Sequence, residues 1–381
     1  MKIDKLFPSI EAFKQRAERR TPRFAADYLF GGIGSETCVQ RNYDGFDRVL
    51  LRSQHLCYAD RPDYRTCLFD QDYDAPFGVA PMGFEGLIWP KAAQLMAAAA
   101  KMHNVPFALS TFATIDIEAA RRAGGDNVWF QLYSMIDTAI EDEILDQAEN
   151  AGFNVLVVTV DAPTVTRRAH DIANGLSVPA RFGLKTLLQI IARPGWTLQT
   201  LVDGIPRLEI MRPYMPKGYS IDQQMKFITD AINAHVTPEK LVRLRSKWKG
   251  RLVVKGVLDV ADAQICRETG VDGIVVSNHG GRQHDGAPHA LTVLPAIRDA
   301  VGLDMPLIVE GGIRSGLDVA RAIACGADFT LLGRAFISAV AAAGQAGCEH
   351  AMWILKQELR QSMAQIGCER LADLPTHLID G

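Results

Sequence analysis

Ile274-Val-Val-Ser-Asn-His-Gly-Gly-Arg282 runs as an apolar strand and then stops on a histidine, two glycines and an arginine. A strand buried on both faces reads this way in parallel β/α proteins, where its C-terminal end delivers the last residues to one rim of the sheet. Here that rim receives His279, whose neutral imidazole takes a proton near neutral pH. Three positions later comes Arg282, whose guanidinium can grip a carboxylate through paired hydrogen bonds. Together they point to chemistry at the carbon beside a carboxylate. A single His-Gly pair is more often just a loop; the full string, with Gln283, is much more specific.

Outward from this strand the chain keeps alternating short apolar runs with helical patterns, the mark of parallel β/α architecture. The predicted strands are 77–82, 107–111, 128–133, 155–162, 252–257, 273–280, 306–312 and 329–334. Helical stretches at 90–103, 137–151, 238–248, 261–270, 291–301 and 316–326 separate them, several opening on Asp, Ser or Pro and closing on Gly. Eight such units match a chain length of about 250 residues for a (β/α)8 barrel. A doubly wound sheet is the alternative, but no strand is followed by the glycine-rich dinucleotide turn with its downstream acid. The expected fold class is therefore α/β, a (β/α)8 TIM barrel in a single domain over 1–381. Residues 1–76 read as a helical N-terminal extension ending in hairpin pieces. Residues 163–237 form a long loop after strand 4, far beyond the usual length of about two to six residues, on the face where barrels place their active sites.

Polar groups collect at all eight strand ends. They are Pro81-Met82-Gly83, Ser110-Thr111, Gln131-Leu-Tyr133, Thr159-Val-Asp161 with Arg167-Arg168 after it, Lys255-Gly256, Ser277-Asn-His279 with Arg282, Glu310-Gly-Gly-Ile-Arg314, and Gly333-Arg334. Any one could merely satisfy backbone groups; eight aimed at one rim require a site. The last two clusters suit a phosphate, since glycines let backbone N–H groups approach an anion and barrels bind phosphate at their seventh and eighth loops. With Lys255 they suggest a phosphorylated cofactor: a cation beside a flavin's N1–C2=O edge stabilises the reduced, anionic ring.

Composition is that of an ordinary globular protein, with 22% charged and 48% hydrophobic residues over 381 positions. A net charge of −3 gives no reason to expect nucleic acid. The seven cysteines are scattered without a CxxC pair, which argues for a reducing compartment and against a disulfide scaffold or a zinc site. The N-terminus carries no apolar signal segment, and no run of about 18 apolar residues occurs. The expected location is the cytoplasm.

At these motifs the chain resembles the FMN-dependent 2-hydroxy-acid oxidase/dehydrogenase family, whose members include glycolate oxidase, L-lactate dehydrogenase, flavocytochrome b2 and (S)-mandelate dehydrogenase. The likeness runs from Phe24-Ala-Ala-Asp-Tyr28 to Ala364-Gln-Ile-Gly-Cys368. Its most specific pieces are Phe130-Gln-Leu-Tyr133, Thr159-Val-Asp161, Lys255-Gly256, Ser277-Asn-His-Gly-Gly-Arg-Gln283 and Leu332-Gly-Arg334. Pro81-Met-Gly-Phe-Glu-Gly-Leu-Ile-Trp-Pro-Lys91 is similar to the bacterial mandelate and lactate dehydrogenase branch. The resemblance implies that His279 is the catalytic base, oriented by Asp161. It implies that Arg168 and Arg282 bind the substrate carboxylate with Tyr28, and that Tyr133 hydrogen-bonds near the substrate oxygen. FMN would be held by Pro81, Met82, Gly83, Ser110, Gln131, Thr159, Lys255, Ser277, Glu310, Gly312, Arg314, Gly333 and Arg334. The implied reaction takes an (S)-2-hydroxy acid to the 2-keto acid in a homotetramer, with no metal and with quinone or O2 as electron acceptor. Hydride transfer and a carbanion path both stay open. So do an FMN-dependent isomerase and an inactive barrel used as a binding module.

Two positions depart from the family pattern. Glu310 stands where an aspartate usually meets the ribityl chain, and His284 follows Arg282-Gln283 where leucine is usual. Phe112, Met82 and Val165 are expected to wall the substrate's side-chain pocket. The run Arg181-Phe-Gly-Leu-Lys-Thr-Leu-Leu-Gln-Ile-Ile-Ala-Arg-Pro-Gly-Trp196 has the composition of a helix lying in a membrane interface and resembles the membrane-contacting segment of the mandelate dehydrogenase branch. It implies peripheral contact with the inner membrane face; a lid over the active site is the other reading.

Overall fold

The computed structural model describes residues 2–56, 61–176, 183–216, 218, 221–232 and 235–379. Cys57, and Arg181 and Phe182 at the head of the suggested membrane segment, lie outside the described residues.

A short antiparallel hairpin, β1 (Thr66–Leu68) and β2 (Gln71–Tyr73), precedes the barrel. The barrel strands are β3 (Phe77–Met82), β4 (Phe107–Ser110), β5 (Val128–Tyr133), β6 (Val155–Thr159), β7 (Arg251–Val257), β8 (Gly273–Ser277), β9 (Leu307–Glu310) and β10 (Phe329–Leu332). All are parallel, each pairs with its sequence neighbours, and β10 closes on β3. The eight predicted strands are these eight. Those read as 155–162, 273–280, 306–312 and 329–334 stop earlier because the backbone leaves the ladder once the side chains turn toward the rim. After β8 and β9 it does so through positive φ at His279, Gly311 and Gly312.

Side-chain alternation splits the apolar residues into two layers. One set, including Ala80, Ala108, Trp129, Val157, Val253, Val275, Ile308 and Leu331, fills the barrel. Leu68, Tyr73 and Phe69 of the hairpin plug its lower end; Trp129 Nε1 donates to Tyr73 Oη at 3.2 Å. The alternate residues, such as Phe130, Leu156, Val158, Val254 and Val276, face the surrounding helices.

The N-terminal extension is helical as expected, with helices Lys2–Leu6, Ile10–Arg20, Arg23–Phe30 and Thr37–Asp47. The last of these lacks an N-cap of its own. Asp285, from the loop after Arg282, supplies one by accepting hydrogen bonds from Ser35 N, Thr37 Oγ1 and Cys38 N at 2.8–2.9 Å. The extension is thereby tied to the loop that carries His279. Beyond β10 one long helix, Arg334–Ile366, breaks at Ala343 and Gly344 and packs on helices Ile10–Arg20 and Ala92–Met102. Helix Ile117–Gly124, not anticipated, starts on an Asp116 cap.

Among its described residues the long loop after β6 carries helices Ala169–Ala173, Leu184–Ile191, Pro194–Asp203 and Ile221–Ala231 before the return through Pro238–Lys247. It leans on the extension, with Phe24 N donating to Gln189 Oε1 at 2.9 Å and Arg193 Nε to Thr21 O at 3.1 Å. Among the described residues no helix is long and apolar enough to cross a membrane.

Candidate active site

The inward row of each strand changes character two residues after its core position. Ala80 is followed by Met82, Ala108 by Ser110, Trp129 by Gln131 and Val157 by Thr159. Val253 leads to Lys255, Val275 to Ser277, Ile308 to Glu310 and Leu331 to Gly333. Period-two alternation thus lifts one residue per strand to the same level at the C-terminal end of the barrel. These residues interlock. Ser110 Oγ donates to Gln131 Oε1 (2.8 Å), Gln131 Nε2 to Thr159 Oγ1 (2.9 Å), and Ser277 Oγ to Glu310 Oε2 (2.6 Å). Lys255 Nζ, almost fully buried, lies 2.7 Å from the same Glu310 oxygen. Burial alone would lower its pKa, but the Glu310 and Asp161 carboxylates reverse that and hold it above the ordinary lysine value.

Above this layer a cavity of about 310 Å³ opens. Its wall takes in Tyr28 of the extension, Pro81, Met82, Gly83 and Phe112, then Tyr133, Val165 and Arg168. It also takes in His279, Arg282, Glu310, Gly312, Arg314, Gly333 and Arg334. Ser110, Gln131, Thr159, Lys255 and Ser277 lie in the buried layer beneath. A larger cavity of about 700 Å³ opens at the opposite end of the barrel. There Arg251 and Arg245 pair with Asp272 at 3.0 and 2.5 Å, and no histidine is among the lining residues.

His279 sits at φ 56°, a left-handed conformation costly for a residue with a Cβ and typical of functional positions. Its Nδ1 lies 2.8 Å from Asp161 Oδ1, and its Nε2 lies 3.3 Å from the Tyr133 hydroxyl. Since a carboxylate only accepts, Nδ1 carries the proton and Nε2 is left with a lone pair. Burial pushes the Asp161 carboxyl up, but His279 and Lys255 more than offset it and hold it below its ordinary value, ionised. Gly256 makes the arrangement possible: its φ is 106°, and a Cβ there would lie 2.4 Å from Asp161 Cγ.

Both arginines lie against Tyr28, with Arg168 5.2 Å and Arg282 4.9 Å from the ring centroid. Arg282 Nη1 donates to the Tyr28 and Gly31 carbonyls (2.6 and 3.1 Å). Arg168 Nε is 2.8 Å from Asp171 Oδ2. Burial raises the Tyr28 hydroxyl above the usual phenol range, with Arg168 opposing. Phe112 stacks on Tyr133 with centroids 5.0 Å apart, so it both packs the rim and walls the cavity. His284 is exposed and does not line the cavity.

Arg314 and Arg334 bear on the cofactor. Among the described residues neither meets a carboxylate. Arg314 donates to Ile313 O and Tyr43 Oη, and Arg334 to Leu29 O and Gly31 O. Burial and the neighbouring Arg314 charge pull Arg334 down to about 10. A desolvated arginine whose pKa a second arginine pulls down further calls for an anion. The adjoining Gly312 has φ 83° and no room for a Cβ, which would lie 2.2 Å from Asn42 O; such a backbone turn can present N–H groups to a phosphate. The donor set fits a phosphorylated cofactor.

Some residues that bear on the site were not foreseen. Asp171 steers Arg168, and its i,i+3 spacing from that arginine on a helix was the available signal. Thr229 and Ile232 reach the cavity from the far end of the insert, and nothing local in the sequence announces that.

Comparison with known proteins places these features in a family. Residues 17–380 match the model of the family described as FMN-dependent dehydrogenase. An L-lactate dehydrogenase from Caulobacter vibrioides is 38% identical over 363 residues, covering 95% of this chain and 94% of its own. One from Yersinia pestis is 36% identical, covering 95% of each. Among solved structures, the monotopic membrane protein (S)-mandelate dehydrogenase superposes with a TM-score of 0.93 at 31% identity over 98% of this chain and 99% of that one. A mandelate oxidase gives 0.83 at 30% identity over 98% of both.

Proposed function

The chain belongs to the FMN-dependent dehydrogenase family, and from that premise we propose that it oxidises an (S)-2-hydroxy acid, lactate- or mandelate-like, to the 2-keto acid. The observation that carries this reading is one cavity whose wall holds both the half-buried His279, paired with Asp161, and two arginines gathered on Tyr28. Arg168 and Arg282 hold the carboxylate and so fix which substituent of the neighbouring carbon meets the base. Tyr133 hydrogen-bonds the substrate oxygen next to Nε2 of His279. His279 accepts one proton there, and the ionised Asp161 stabilises the imidazolium that forms. Bound FMN supplies a two-electron acceptor. Arg314, Arg334 and the Gly312 turn would hold its phosphate, and Glu310, Lys255 and the buried polar layer would hold the rest. Removal of water by the Phe112, Met82 and Val165 wall strengthens each of these interactions.

The electrons pass on to quinone at a membrane surface. Exposed Leu184, Leu187, Leu188 and Ile191 on one insert helix, and Leu198, Leu201 and Val202 on the next, support this reading. So much solvent-facing apolar side chain is uncommon on a freely dissolved protein, and amphipathic helices of this kind seat in interfaces. Trp196 has no part in that contact: it is 6% exposed and packs edge-on against Phe24.

Anaerobic mixing of the yellow protein with paired (S)- and (R)-2-hydroxy acids tests the proposal. Bleaching of the flavin band by (S)-acids alone is expected; no bleaching by any member of the panel would overturn it.

A further inference from the structure

The Lys255 cation is screened from the cavity by a carboxylate. Glu310 lines the cavity and Lys255 does not. Lys255 and Glu310 stand on β7 and β9, two strands apart with β8 between them. Neighbouring strands are about 4.8 Å apart, so the Glu310 carboxylate must cross the Ser277 position to reach Nζ. It does so at 2.7 Å, taking the Ser277 hydroxyl on the same oxygen at 2.6 Å. The longer glutamate arm makes that crossing; an aspartate would stop one methylene short. Asp161 adds a second negative charge that acts on Lys255. One ammonium is therefore set against two carboxylates.

We propose that Glu310 is a positioning residue that clamps Lys255 and sets the electron affinity of the bound flavin, holding it below what an unpaired lysine at this place would give. The inference rests on the proposed FMN site. Its physical basis is that a flavin gains negative charge on reduction. A nearby cation lowers the energy of that state, and a carboxylate locked onto the cation removes most of the benefit. The choice of glutamate over aspartate here tunes a driving force without touching the proton acceptor.

Two variants and two readouts test it in the holo-protein. Glu310→Gln removes the charge but keeps the length, and Glu310→Asp keeps the charge but shortens the arm. Sulfite adds to oxidised flavin and leaves the ring anionic, so its affinity, read by bleaching of the yellow band, reports the same stabilisation without turnover. Both variants should bind sulfite at least tenfold more tightly than the parent. A tenfold change corresponds to a flavin midpoint potential about 30 mV more positive for a two-electron couple. In apo-protein, Glu310→Gln should melt lower than the parent, and adding Lys255→Met should restore the loss, because an unpaired buried ammonium is then gone. A yellow parent whose variants show unchanged sulfite affinity and potential overturns this inference alone. A parent that takes up no FMN overturns the functional reading and this inference with it.

Discussion

Asp161 grips His279 by a single nitrogen, Oδ1 to Nδ1 at 2.8 Å, across 118 residues of sequence. That contact fixes the tautomer and leaves Nε2, beside Tyr133, as the only basic position of the ring. His279→Gln should therefore keep FMN bound but slow reduction of the flavin by substrate by about 10²–10⁴-fold, the usual cost of losing a general base. Rapid-mixing absorbance measures it, and near-parental reduction would remove His279 from the role.

Arg168 is held in place by its ion pair with Asp171, and Arg282 by hydrogen bonds to backbone carbonyls. Lysine carries the charge without the planar fork. Arg168→Lys and Arg282→Lys should each raise KM for the hydroxy acid by roughly tenfold or more, since a charge-assisted bond contributes about 1.5–3 kcal/mol. The flavin content should not change. Equal turnover of the methyl ester by the parent would show that no carboxylate is read.

Glu85 is a buried carboxyl whose Oε2 has no hydrogen-bond partner among the described residues, and burial pushes its pKa from 4.5 up to about 8. The unfolded chain gives up this proton near pH 4.5, while the folded protein keeps it until about 8. Glu85 therefore costs stability progressively as pH rises between those values, and the penalty is constant above. Glu85→Gln should melt several degrees higher than the parent at alkaline pH, with the advantage shrinking toward pH 4.5. Thermal melts across pH measure it, and a constant difference would contradict the assignment.

Replacing Leu184, Leu188 and Leu201 with serine removes exposed apolar surface and leaves the cavity wall intact. The triple variant should move from the membrane fraction of a lysate to the soluble fraction while its rate with a soluble dye acceptor stays the same. A parent already soluble, and reoxidised quickly by air, would make the insert a lid and the protein an oxidase.

Gly256→Ala places a Cβ at φ 106° and within 2.4 Å of Asp161 Cγ. The backbone strain alone is about 1–3 kcal/mol. The substitution should lower the melting temperature and, by displacing Asp161, slow flavin reduction more than it weakens FMN binding. Stopped-flow rates beside FMN titrations separate the two effects.

The eight strands and the rim to which their polar ends point follow from the sequence alone, because alternation is local. Once Val253 or Ile308 faces the barrel, Lys255 or Glu310 two residues on must face it too, one level higher. His279 and Arg282 were legible for the same reason, as the abrupt end of an apolar strand. What only the tertiary structure decided is which of these groups meet. Closure of β10 on β3 brings the Gly333-Arg334 end beside Met82 and the extension. Asp161 reaches His279 over the space that Gly256 leaves, Tyr28 arrives from the far N-terminus to receive two arginines, and Glu310 spans a strand to Lys255. Those pairings depend on barrel curvature and side-chain reach, which leave no periodic trace in the chain. The insert divides the same way: its apolar composition is written in the sequence. Packing against the extension decided that Trp196 turns inward while the leucines beside it stay in solvent.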